Sequence, residues 1–142
     1  MSQTVAIPDK LIKQLEEFRF KRNNRKAALV VKILRKELEM VCEKEYDDSF
    51  FSQNSLEDLA EELPENAPRY IILSYVMKHE DGRVNFPLVL INWSPTGSPI
   101  NLLTLHASAL HNFQEIANVA KVIEIRDGAE GLTDDAIQSM FK

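Results

Sequence analysis

The chain of 142 residues carries one cysteine, Cys42, and four glycines, and both scarcities exclude something. A lone thiol cannot build a disulfide scaffold, and scattered glycines at 82, 97, 128 and 131 cannot build a collagen-like repeat, a dinucleotide fingerprint or a phosphate-binding loop. No apolar run approaches the length of a membrane span; Leu88 to Ile91 is typical of the longest. The opening residues lack the basic-then-apolar layout of a secretory signal, so a reducing compartment, most simply the cytosol, is expected. What is present is ordinary: 44% apolar and 27% charged residues, enough to bury one core in a single domain spanning 1–142.

The formal net charge of −5 hides two blocks. Residues 10–36 hold ten Lys or Arg against Glu16 and Glu17, whereas residues 45–66 hold eight acids and no base. Either the fold carries two electrostatic faces, able to steer an oriented encounter, or the blocks meet and neutralise each other.

Pro8, Asp9 and the stripe Leu11, Ile12, Leu15, Phe18 predict a helix ending near Phe20, with both phenylalanines on its core face. A basic turn follows from Lys21 to Lys26. Ala27 to Leu34 and Leu38 to Tyr46 predict a hairpin, with Cys42 a small buried hydrophobe on its second strand. Ser55 and Asp58 open a short helix that Pro64 ends. Tyr70 to Met77 and Val84 to Trp93 predict two long strands at the centre of the sheet, joined at Asp81-Gly82 by a turn that needs positive φ. From Pro99 to Ala117 runs the longest helix, with Leu102, Leu105, Ala109, Phe113 and Ile116 at helical spacing. Val119 to Ile125 is a strand, and Thr133 caps a last helix reaching Phe141. The expected fold is α/β of the α+β type: a mixed sheet with helices packed on it.

Chemistry is hard to find. His106 and His111 lie about 140° apart on a helix and do not converge on a metal. His79 falls in a turn where a solvated imidazole is expected, and no Ser, His and Asp stand in a nucleophile motif. The expectation is no enzyme, no cofactor and no metal.

Three features fit binding. Phe18 to Lys26 interleaves aromatics with bases, which suits an acidic protein surface, a solvated turn or, least well in so acidic a chain, nucleic acid. The long helix has a single charge, Glu115, and elsewhere shows Thr104, Ser108, His111, Asn112 and Gln114. So charge-poor a surface belongs either under a partner or inside its own domain. The turn from His79 to Arg83 is a well-made hairpin or a second contact surface.

Several blocks together resemble the glia maturation factor family, a branch of the actin-depolymerising-factor homology superfamily. They are Glu17-Phe18-Arg19-Phe20, Leu63-Pro64-Glu65-Asn66-Ala67-Pro68-Arg69-Tyr70, Asp81 to Leu88, Ser94-Pro95-Thr96-Gly97, Lys121 to Arg126 and Leu132-Thr133-Asp134. The resemblance runs nearly end to end. It implies a single domain with a central mixed sheet of five to six strands, helices on both faces, and a non-catalytic regulator. Such a regulator binds the actin-related protein 2/3 complex, inhibits its nucleation of branched actin and promotes debranching. Little or no affinity for actin, no nucleic acid, no membrane and a monomer at cytoplasmic, cortical branched-actin structures are implied with it.

Carried over residue by residue, the resemblance points to Arg19 and, less firmly, Arg22 as a basic docking edge. Leu105, Ala107, Ser108, Leu110, His111 and Asn112 match the docking face of the long helix, and Asp81, Gly82 and Arg83 match the hairpin. Arg126 matches a strand-end basic position near that second surface. Where relatives place lysines this chain has Leu110 and Asn112, which weakens the alternative of a cofilin-like severing protein. Phosphorylation of Ser2 would put negative charge on a surface that the resemblance assigns to docking.

Overall fold

The computed structural model describes residues 5–21 and 26–139. Its elements are α1 (Asp9–Lys21), β1 (Ala27–Leu34), β2 (Glu39–Tyr46), α2 (Asp48–Gln53), α3 (Leu56–Glu62), β3 (Arg69–Ser74), β4 (Met77–Lys78), β5 (Val84–Asn85), β6 (Leu88–Trp93), α4 (Ile100–Ala117), β7 (Lys121–Ile125) and α5 (Asp134–Ser139), with a 3-10 turn at Gly128–Gly131 before α5. Five strands form one mixed sheet in the order β2-β1-β3-β6-β7, antiparallel except for the β6–β7 pair. A parallel pair needs a long crossover, and α4 supplies it.

Strand side chains alternate between the two faces, so the core of the described residues divides in two. Leu11, Leu15 and Phe18 of α1 and Ala109, Phe113 and Ala117 of α4 pack with Leu29, Val31, Tyr70, Ile72 and Leu90 on one face. Leu56, Leu59 and Ala60 of α3 and Ile137 of α5 pack with Val30, Ile71, Leu73, Ile91 and Trp93 on the other. Arg69 and Tyr70 to Leu73 are matched against Trp93 to Val89 with no slip, and both strands are almost wholly buried, as two-sided coverage requires.

The two long central strands expected from sequence are each interrupted. β3 stops at Ser74 and β6 begins at Leu88; the intervening segment pairs only as the two-residue strands β4 and β5. Pro87 has no N–H to offer the ladder, although its carbonyl still accepts from Tyr75 N at 3.0 Å. The main sheet therefore has five strands, and a small hairpin rises from one end of it.

β2 also departs from simple alternation. Val31 pairs with Cys42 but Val30 with Lys44, leaving Glu43 as an extra residue. Met40 and the half-buried Cys42 thus serve the α1 face, while Tyr46 serves the α3 face. Leu38, expected in the strand, sits instead in the turn at φ +53°. Val119 is buried just beyond α4 rather than in β7, and α2, capped by Asp47 through Ser49 N and Phe50 N, was not expected at all. The last helix is described to Ser139, so the expected end at Phe141 lies outside the described residues.

Candidate docking surfaces

α4 is the long charge-poor helix. Pro99 precedes it at φ −57°, and Asn118 closes it in the left-handed conformation that asparagine tolerates, with its N–H shared between Gln114 O and Glu115 O. Its buried side is His106, Ala109, Phe113 and Ala117. The expected stripe is rotated: Ala109 and Phe113 are buried, while Leu102, Leu105 and Ile116 are only half-buried. The polar surface is not covered by its own domain, because Thr104, Ala107, Ser108, His111, Asn112 and Glu115 are all exposed. Of the docking positions, Leu105 and Leu110 form half-buried shoulders to this face.

The two hydroxyls and the one acid of the exposed face have partners within the helix. Thr104 Oγ1 donates to Ile100 O (2.9 Å) and Ser108 Oγ to Leu105 O (2.7 Å), both within the helix. The one acid, Glu115, is paired with His111 Nε2 at 3.0 Å. A partner lying over these hydroxyls would strand no donor, so covering them costs little. The surface is therefore suited to close contact through small, uncharged groups.

His106 was missed as a core residue, since a histidine carries no apolar signal. It is 3% exposed, its ring stacks on Tyr70 with centroids 4.0 Å apart, and its Nε2–H donates to Asn92 Oδ1 at 2.6 Å. Burial, helped by the charge of Arg69, pushes its pKa down to about 4. A neutral imidazole thus ties the middle of α4 to β6.

At the other end of the helix, Arg19 Nη1 donates to Ala117 O (3.4 Å). A guanidinium against the last carbonyls of α4 is favoured by the helix dipole and joins the ends of α1 and α4. Phe18 is 3% exposed as expected, but Phe20 is 79% exposed, which corrects its assignment to the core. Residues two apart on a helix face about 200° apart, so only one of the pair can point inward. Ser2 and Arg22 lie outside the described residues.

The charge blocks find partners elsewhere. Lys26 pairs with Asp134 (3.8 Å), Lys32 with Glu43 (3.4 Å), and Glu62 accepts from Lys44 and Tyr46. Several acids of the second block are helix caps: Asp47 for α2, Asp58 in the capping box of α3, and Glu57, whose Oε1 accepts from Asp134 N at 3.0 Å across the start of α5. Those backbone donors hold the Glu57 carboxyl below its ordinary pKa.

The hairpin places Asp81, Gly82 and Arg83 together and exposed, with Gly82 at φ +91° and Arg83 Nε on Asp81 Oδ2 at 2.6 Å. Its stem holds His79 Nε2 within 2.8 Å of Asn85 Oδ1. Arg126 does not belong with it. β7 runs parallel to β6, from Lys121 beside Val89 to Ile125 beside Trp93. Arg126 therefore leaves the sheet at the end opposite the hairpin, beside a cleft of ≈ 370 Å³ shared with Thr96, Ile100, Thr104 and Ala107. Strand direction, which no residue pattern reveals, separates it from the surface the resemblance assigned.

Among the described residues no cluster of His, Cys, Asp and Glu could hold a metal ion, and no helix is long and apolar enough to cross a membrane. The chain matches, over residues 4–142, the family described as cofilin/tropomyosin-type actin-binding protein. It is 34% identical to the mouse (Mus musculus) glia maturation factor beta over 138 residues, covering 95% of this chain and 93% of that one. It is 30% identical to the glia maturation factor of Drosophila melanogaster, covering 99% and 98%. The solution structure of glia maturation factor from Caenorhabditis elegans superposes with a TM-score of 0.78 at 34% identity, covering 98% of this chain and 99% of that one.

Proposed function

Because this chain belongs to the cofilin/tropomyosin-type actin-binding family, in its glia maturation factor branch, we propose that it binds the actin-related protein 2/3 complex, restrains its nucleation of branched actin and releases existing branches without catalysis. An actin-regulatory role of glia maturation factor type follows from membership; the choice of partner and the debranching outcome are the further step. The observation that supports this step is the exposed face of α4, where Thr104, Ala107, Ser108 and Asn112 offer small uncharged groups and the lone acid is internally paired. Actin-binding members of the superfamily are expected to carry lysines there, and this chain has Leu110 and Asn112.

The mechanism needs no hydrolysis. A wedge that binds the separated state better than the assembled one shifts the equilibrium by its difference in affinity. α4 supplies the desolvated contact, while Arg19, with the basic run after it, sets encounter rate and register. The protein acts in this reading as a monomeric single domain at cytoplasmic, branched cortical actin. Microscopy of branched and unbranched filaments with the purified protein tests it. Branches should disappear while filaments stay intact; severing of unbranched filaments would favour the cofilin-like reading instead.

A further inference from the structure

α4 holds one acid, Glu115, and no Lys or Arg. The acid stands in the last turn, where the helix dipole already concentrates negative charge and α4 offers no base. His111 Nε2 lies 3.0 Å from it, one turn earlier. Both side chains face water, 83% and 65% exposed, so in the free protein solvent screens whatever charge they carry. The rest of the exposed face, Thr104, Ala107, Ser108 and Asn112, has no titratable group. An imidazole is the side chain that changes charge between about pH 5 and 8. One proton therefore sets the charge of the whole face: negative with His111 neutral, balanced with His111 protonated against Glu115.

Other charges around α4 are placed elsewhere. Arg19, from α1 alongside, lies on Ala117 O, and Arg69 acts on His106 at the buried side. Lys13, Glu16 and Glu17 of α1 are exposed, and among the described residues His111 forms its ion pair with Glu115. We propose that docking through α4 takes up a proton at His111, making the contact tighter in mildly acidic than in mildly alkaline solution. The inference rests on the docking reading above and adds a regulation of that same face. A carboxylate covered by a partner costs less when an imidazolium is covered with it than when it carries the only charge. The bound state thus favours the protonated ring, and by linkage protons favour the bound state.

The test uses the full chain and the purified actin-related protein 2/3 complex as probe. The dissociation constant should fall about three- to tenfold between about pH 7.5 and about pH 6, with association heats that vary with the buffer as proton uptake requires. His111→Gln should keep the weaker, high-pH affinity throughout. Glu115→Gln should reverse the slope, because its imidazolium would be covered without a carboxylate. Both positions are exposed, so melting temperatures should match the wild type. Titration of the complex itself, and of His106, is common to all three proteins and cancels in the comparison. Parallel slopes for the wild type and His111→Gln would overturn the proton link and leave the docking reading standing. Tighter wild-type binding at the higher pH would also overturn it, by placing a cation of the partner on Glu115. No binding by the wild type at either pH would overturn both.

Discussion

The hydroxyl of Tyr70 donates to the backbone carbonyl of His106 at 2.6 Å while the two rings stack. One residue of β3 thus holds α4 twice, and Phe113 extends the stack from the other side of Tyr70 with centroids 4.7 Å apart. The seat of α4, and with it the attitude of its exposed face, is fixed by a polar contact inside an apolar layer.

Stability should depend on pH through His106. Its folded pKa is about 4 against an ordinary 6.5. Between these values the unfolded chain binds a proton that the folded one refuses. Stability therefore falls as pH drops from about 6.5 to about 4, by about 3 kcal/mol, and this contribution levels off below. Denaturant unfolding from pH 7 to 4 should show that slope, and His106→Asn should flatten it whatever its effect on absolute stability.

Tyr70→Phe keeps the ring stack and removes one hydrogen bond. Burial holds the Tyr70 phenol well above its ordinary pKa, so the proton is present throughout the working range. The substitution should cost about 1 kcal/mol, seen as a lower denaturant midpoint with an unchanged slope.

Asn118 closes α4 at φ +57°. Asn118→Gly should be tolerated, whereas Asn118→Ala should lose about 1 kcal/mol by thermal or denaturant unfolding, because a Cβ without a compensating polar group is strained there.

A long cation in the middle of the α4 face should block docking without disturbing the core. Ala107 is exposed, so Ala107→Arg should leave the melting temperature unchanged and lower affinity for the actin-related protein 2/3 complex about tenfold or more. Equal binding by this variant would remove α4 from the interface.

Elements with a single strong period were readable in advance. α1, β1 and α4 span close to the ranges their patterns predict, whereas β3 and β6 occupy only part of the two apolar runs expected as strands. What escaped depends on contacts between distant residues. The slip at Glu43 answers the need to send Tyr46 to a different layer from Met40, and Glu43 then gathers Arg69 and Lys32. Arg126 was misplaced because a parallel crossover, invisible in the pattern, decides which end of the sheet it leaves. The charge-poor surface of α4 was legible but its exposure was not: Thr104, Ser108, His111 and Asn112 are exposed, and Gln114 is half-buried. The exposure of Phe20 was missed because both phenylalanines were assigned to the core face, although two residues on a helix differ by about 200° and only Phe18 points inward.

The division of the core by the sheet bears on how the molecule comes apart. Leu29 and Val31 enter one layer and Ala28 and Val30 the other, so every peptide of β1 is shared property. The two layers share their strands, so their unfolding is expected to be coupled, with coincident transitions by fluorescence and circular dichroism despite two separate apolar clusters. Trp93, the only tryptophan of the chain, packs in the α3 layer, so its fluorescence should change together with the loss of α1 and α4 on the far side if that coupling holds.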